Sequence, residues 1–182
     1  DVYLPAKRNT ASTACIIMLH GGSWVAGDKA DNNAFIPLIQ KALPGVAIVN
    51  MNYTLADGSA NNTHPAQVKD VAALLRFVDS ISATWHIKKQ YGLIGISAGA
   101  HLACLYSYSF DALKQIKLVA SFVGPTNISD AYYTGNPLFE PILVAFTGKR
   151  FADDPNLYKA MSPAFQVTAT SPPTYMAYGG AD

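Results

Sequence analysis

Tyr91-Gly92-Leu93-Ile94-Gly95-Ile96-Ser97-Ala98-Gly99-Ala100-His101-Leu102-Ala103 is the stretch on which the reading of this chain turns. It starts as a short apolar run with β-forming residues and ends as a run of helix formers. Between the two, Ser97 lies two residues from a glycine on either side. That is the spacing of a strand-to-helix corner too tight for bulky neighbours, one that holds the serine in strained backbone geometry with its hydroxyl clear of the packing below. A serine pentapeptide of this kind arises by chance, but here a strand pattern precedes it and a helix pattern follows.

Outward from that corner the same alternation continues. Apolar runs at Cys15 to Leu19, Val46 to Met51, Leu93 to Ile96 and Leu118 to Val123 predict strands, and Thr174 to Tyr178 predicts a fifth. Their hydrophobicity is continuous, which suits strands covered on both faces of a parallel sheet. Phe35, Leu38, Ile39, Ala42 and Leu43 trace a helical stripe stopped by Pro44-Gly45. Val68, Val71, Leu74, Leu75 and Val78 trace another, entered through Pro65. Strand and helix in turn imply an α/β layered sheet with right-handed crossovers. Residues 127–165 break the rhythm with Pro, Gly and aromatics, as either a connection packed on the sheet or a small cap over a cleft.

Composition sets the outer bounds. The chain has 182 residues, of which 50% are hydrophobic and 14% charged. That suits one domain, residues 1–182, with a sizeable core, and it argues against disorder. The net charge of +1 comes without a basic cluster, so nothing points to nucleic acid. No apolar run is long enough to span a bilayer. Cys15 and Cys104 sit in apolar surroundings and read as packing residues, and no histidine or cysteine spacing suits a metal. None of this settles the compartment or the oligomeric state. The chain opens mid-strand at Asp1-Val2-Tyr3-Leu4-Pro5, without an initiator Met or a leader pattern, as a processed chain or a segment of a longer one would.

A serine hydroxyl attacks a carbonyl only when a base takes its proton and donors hold the oxyanion that forms. His20-Gly21-Gly22-Ser23-Trp24, at the end of the first long strand, offers a sharp turn with free backbone N–H groups. The Gly21-Gly22-Ser23 turn, with the amides of Gly22, Ser23 and Ala98 as donors, is the expected oxyanion hole. Together with Gly27-Asp28-Lys29, Asn52-Tyr53, His64-Pro65-Ala66-Gln67, Asp70 and the corner at Ser97, this order of motifs resembles the α/β-hydrolase esterases. The likeness is to the branch related to hormone-sensitive lipase, including its acetylxylan and feruloyl esterase-like and kynurenine formamidase-like members, and it spans nearly the whole chain. It implies a mostly parallel central sheet with helices on both faces, and no cofactor. Two departures stand out: Ala100 for a frequent glycine, and Thr54 where many relatives carry arginine.

The resemblance implies an order of serine, acid, histidine. The acid it points to is Asp182, after the strand at Thr174 to Tyr178, although the relatives' His-Gly is Tyr178-Gly179 here. The base has no equivalent among the four histidines. His20 lies in the oxyanion turn, His64 before a proline, His86 in a polar connection, and His101 on the helix that the corner points its serine away from. The family's histidine follows the acid, so we expect it, with a last strand and helix, beyond residue 182. An inactive relative, or a local histidine acting instead, are the alternatives. The expected function is a serine carboxylester hydrolase acting on small acyl esters, among them acetyl or feruloyl esters of plant polysaccharide, with the isolated segment nearly inactive. An arylformamidase and a non-catalytic binding relative are the rival readings.

Overall fold

The computed structural model describes residues 1–180; Asp182 lies outside the described residues. The elements run β1 (Val2–Tyr3), β2 (Cys15–Leu19), α1 (Ile36–Ala42), β3 (Ala47–Met51), α2 (Ala66–Trp85), β4 (Tyr91–Ile96), α3 (Ala98–Leu105), β5 (Ile116–Phe122), α4 (Ala131–Thr134), α5 (Glu140–Thr147), α6 (Pro155–Ala160) and β6 (Thr174–Ala177). The sheet order is β1-β3-β2-β4-β5-β6, with β1 antiparallel and every other neighbouring pair parallel. The predicted α/β architecture is therefore what forms, and each expected strand falls within about two residues of its place.

The topology positions the site. From β2 the chain crosses to β3 on one side, then returns to β4 on the other. The loops leaving β2 and β4 consequently diverge, and a crevice opens between them at the carboxyl ends of the strands. Leu19 and Gly95 are in register across that pair, so His20 and Ser97 emerge close together. The glycine turn after β2 and the serine corner, far apart in sequence, are brought side by side by strand pairing.

Helices cover both faces, but unequally. On one, α2 and α3 pack with Trp24, Leu75, Val78, Leu93, Leu102, Val119 and Phe146 into the main core. On the other, α1 lays Ile36 and Ile39 over Ile16, Met18, Ile48 and Ile94. On this face Leu118 and Phe122 of β5 are 51% and 39% exposed, and Phe122 shares an apolar cavity with Leu38 and Ile39 of α1. This corrects the expectation from the continuous apolar runs that the strands are covered on both faces: it holds for β2 and β3, while among the described residues β5 and β6 keep exposed positions. Cys15 and Cys104 are free and buried, and burial pushes the Cys15 thiol up to about 12. No described helix is long and apolar enough to cross a membrane.

Candidate active site

Ser97 occupies the junction of β4 and α3 with φ +51° and ψ −118°. Such a conformation costs a residue with a side chain on the order of 1–3 kcal/mol and persists only where the surroundings over-determine it. They do so here. The Ser97 amide donates to the Phe122 carbonyl at 2.8 Å, and its carbonyl accepts from the His101 amide at 3.0 Å. Although Ser97 is the N-cap of α3, its hydroxyl makes no capping bond and is left for other chemistry.

The flanking glycines exist for close approach. A Cβ on Gly99 would lie 2.4 Å from the carbonyl oxygens of Leu19 and His20, and one on Gly95 would lie 2.3 Å from the Gly99 carbonyl oxygen. The corner is therefore pressed directly onto the end of β2. Ala100 is accommodated by Gly124, where a Cβ would come within 2.6 Å of the Ala100 methyl.

The turn after β2 is the second half of the site. Gly22, Ser23 and Trp24 have successive φ values of +108°, +53° and +64°. Gly22 takes this without strain, and its side of the turn is closed to any side chain, since a Cβ would meet the Ala26 carbonyl oxygen at 2.1 Å. Its carbonyl accepts from the amides of Val25 and Ala26. Gly21 passes beside Ser97, with space for a Cβ only 3.5 Å from the serine's own. Tyr53 braces the turn by donating its hydroxyl to the carbonyls of His20 and Gly21 at 3.0 and 3.2 Å. The polar network behind it survives Thr54, whose amide donates to Asp70 and whose carbonyl accepts from Gln67.

Ser97 opens on two cavities. The smaller, about 180 Å³, is lined by Ser23, Ala98, Trp24, Phe139, Ile142 and Leu143 among others. The larger, about 850 Å³, is more polar, with Thr126, Asn127, Asp130, Tyr132, Tyr133 and Tyr178 on its walls. Of the expected site residues, Ser97, Ser23 and Ala98 thus share one small cavity, while Gly21 and Gly22 shape the turn behind it. The 127–165 segment supplies walls to both cavities through its aromatics. Tyr178 donates its hydroxyl to the Gly124 carbonyl at 2.6 Å and lines the larger cavity.

Among the described residues, no histidine lines either cavity. His20 is fully buried, stacked on Tyr53 at 4.2 Å, with its Nδ1–H donated to the Gly21 carbonyl. His64 packs edge-on against Phe110 and Phe146, and burial pulls it down to about 4. His86 is the exposed left-handed C-cap of α2. His101 is buried; it accepts from Trp24 Nε1–H at 3.2 Å and donates Nε2–H to the Met161 carbonyl at 2.8 Å, and burial pulls it down to about 3. That last pair of bonds is not legible in the sequence, because nothing in the spacing of residues 24, 101 and 161 foretells it.

The two depressed histidines make a pH prediction. On unfolding, His101 and His64 return to their ordinary value near 6.5 and take up protons that the folded state refuses. The unfolded state then binds more protons below pH 6.5, so the stability present above that value is lost as pH falls toward 4. Each group contributes a slope of up to about 1.4 kcal/mol per pH unit. Denaturant unfolding between about pH 7.5 and 4.5 should show a falling free energy, with a shallower slope for His64→Asn; a flat profile would refute this.

Comparison with known proteins agrees with this geometry. LipQ, an esterase of Mycobacterium tuberculosis, is 28% identical over 180 residues, covering 92% of this chain and 41% of LipQ. A truncated carbohydrate esterase from gut microbiota matches with a TM-score of 0.74 at 26% identity, over 96% of this chain and 69% of that one. The bifunctional GH43-CE protein of Bacteroides eggerthii matches with a TM-score of 0.81 at 21% identity, over 99% of this chain and 26% of that one, a likeness of fold. The chain thus spans less than half the length of LipQ. The BD-FAE family model matches residues 1–182. With a parallel sheet, a strained serine at its switch point and a family match over its whole length, the chain belongs to the BD-FAE family of α/β-hydrolase-fold proteins.

Proposed function

We propose that this chain carries the nucleophile and oxyanion-binding part of a serine carboxylester hydrolase. The observation behind this reading is Ser97, held at φ +51° with an uncapped hydroxyl on the cavity that Ser23 and Ala98 also line. Ser97 Oγ attacks the ester carbonyl and its proton passes to a histidine. The carbonyl oxygen, now negative, accepts from the amides of Ser23 and Ala98, with Gly22 as a further donor; each such donor contributes roughly 3–4 kcal/mol to the transition state. Collapse expels the alcohol, which takes the proton from the histidine, and water repeats the sequence on the acyl-enzyme. Asp182 orients that histidine.

The histidine comes from outside residues 1–182, because both nitrogens of His101 are engaged, His20 and His64 are turned into aromatic packing, and His86 caps the far end of α2. The small apolar cavity suits a short acyl group. The larger one, with Asn127, Asp130 and tyrosines, suits a hydroxylated alcohol such as a sugar. LipQ is an esterase and the gut-microbiota relative a carbohydrate esterase, which supports the same substrate class.

The test compares p-nitrophenyl acetate with N-formylkynurenine in the protein that carries the histidine, alongside labelling by a fluorophosphonate. Ester hydrolysis and labelling of Ser97 are expected. Exclusive turnover of the formyl amide would move the assignment to an arylformamidase, and a Ser97 that never labels would overturn both.

A further inference from the structure

One imidazole joins three parts of the site that the sequence keeps far apart. His101 sits one helical turn past Ser97 on α3, its amide bonded to the Ser97 carbonyl. Its Nδ1 accepts from the indole N–H of Trp24, the residue that ends the left-handed run Gly22-Ser23-Trp24. Its Nε2–H donates to the Met161 carbonyl. Met161 adjoins Ser162, whose hydroxyl accepts from the Ile128 amide and donates to the Tyr158 carbonyl, so this bond secures both ends of the wall segment.

The partners fix the chemistry of the ring. An indole nitrogen only donates and a carbonyl only accepts, so the imidazole must be the neutral tautomer with its proton on Nε2. A proton on Nδ1 would face the Trp24 N–H donor to donor. The indole is further held by stacking on Phe146 at 4.5 Å, with His101 edge-on to both rings. Among the described residues the only other bond that holds Trp24 is between its carbonyl and the Ala56 amide. Two non-glycine residues in left-handed geometry stay there only if such anchors exceed the strain.

We infer that His101 is a positioning residue: through Trp24 it sets where the Ser23 amide points relative to Ser97. This rests on the hydrolase reading for its catalytic consequence, but not for the contact itself.

The test separates the two. Trp24→Phe keeps the ring stack and removes the donor; His101→Gln keeps a donor for Met161 and removes the acceptor at Nδ1; His101→Asn keeps an acceptor near Nδ1. In ¹H–¹⁵N spectra, Trp24→Phe assigns one of the two indole signals, which should be slow to exchange in the parent chain. Trp24→Phe and His101→Gln should each shift the Ser23 amide while leaving the β2 amides in place, and His101→Asn should restore most of the parent shift. In hydrolysis by the protein that carries the histidine, His101→Gln should lower kcat about tenfold or more with KM within about twofold, since a small displacement of a donor acts on the transition state. A Ser23 amide unmoved in both Trp24→Phe and His101→Gln would overturn the inference, whether or not any variant hydrolyses an ester. Should His101→Gln fail to fold, the Ser23 amide in Trp24→Phe alone decides: displaced, it supports the positioning role, and unmoved, it overturns it. A spectral response with no esterase activity in the protein that carries the histidine would instead refute the hydrolase reading and leave the contact standing.

Discussion

Ser97→Ala is expected to lower ester hydrolysis by about 10⁴- to 10⁶-fold in the protein that carries its histidine, because a nucleophile, its base and its oxyanion donors act as a unit. The residual rate should come from the oxyanion donors at Gly22, Ser23 and Ala98. Stability should move the other way. Ser97 sits at φ +51° and ψ −118°, a conformation that glycine adopts freely, so Ser97→Gly should stabilise the fold by about 1 kcal/mol, or roughly 2–4 °C in Tm. The pair of measurements, p-nitrophenyl acetate turnover and thermal unfolding, separates a serine strained for chemistry from one that merely ends a strand. A Ser97→Ala variant within about tenfold of the parent rate would remove Ser97 from the mechanism.

Gly99→Ala should be among the most damaging single methyls at the described glycines. Its Cβ would fall 2.4 Å from two backbone carbonyl oxygens at the end of β2, Leu19 and His20, and neither can move without shifting the sheet. Overpacking against backbone of this kind costs about 3 kcal/mol or more. A control is Gly45→Ala, where the space is open and the backbone is not in the left-handed region. Urea unfolding should show a midpoint lowered markedly for Gly99→Ala and within experimental scatter for Gly45→Ala. Equal midpoints would mean that α3 can shift away from β2, and that the geometry of the elbow is softer than its close contacts imply.

Much of this molecule can be read from neighbouring residues. The strand-turn-helix pattern around Ser97, the glycine turn after β2 and the alternation of apolar runs with helical stripes are all local, because backbone conformation there is decided by small residues, β-branching and 3.6-residue periodicity. The same locality explains the errors. Continuous hydrophobicity in Leu118 to Val123 looks like a strand covered on two faces, yet coverage depends on what packs on each side, and among the described residues Leu118, Phe122 and Val123 stay exposed. His101 reads as a packing residue, and it is buried, but whether a buried histidine is inert or pins two distant segments depends on which indole and which carbonyl the fold delivers to its two nitrogens.

The sequence by itself determined the α/β class, the corner at Ser97 and the turn at Gly21-Gly22-Ser23, since each is written in residues adjacent to one another. Only the tertiary structure decided that these two turns meet. That follows from the switch in strand order between β2 and β4, which sets Leu19 against Gly95 and opens a crevice above them. It also decided that His20, His64 and His101 are taken up by packing and hydrogen bonds. Burial, stacking and bond partners are properties of the folded surroundings, and no spacing along a chain encodes them.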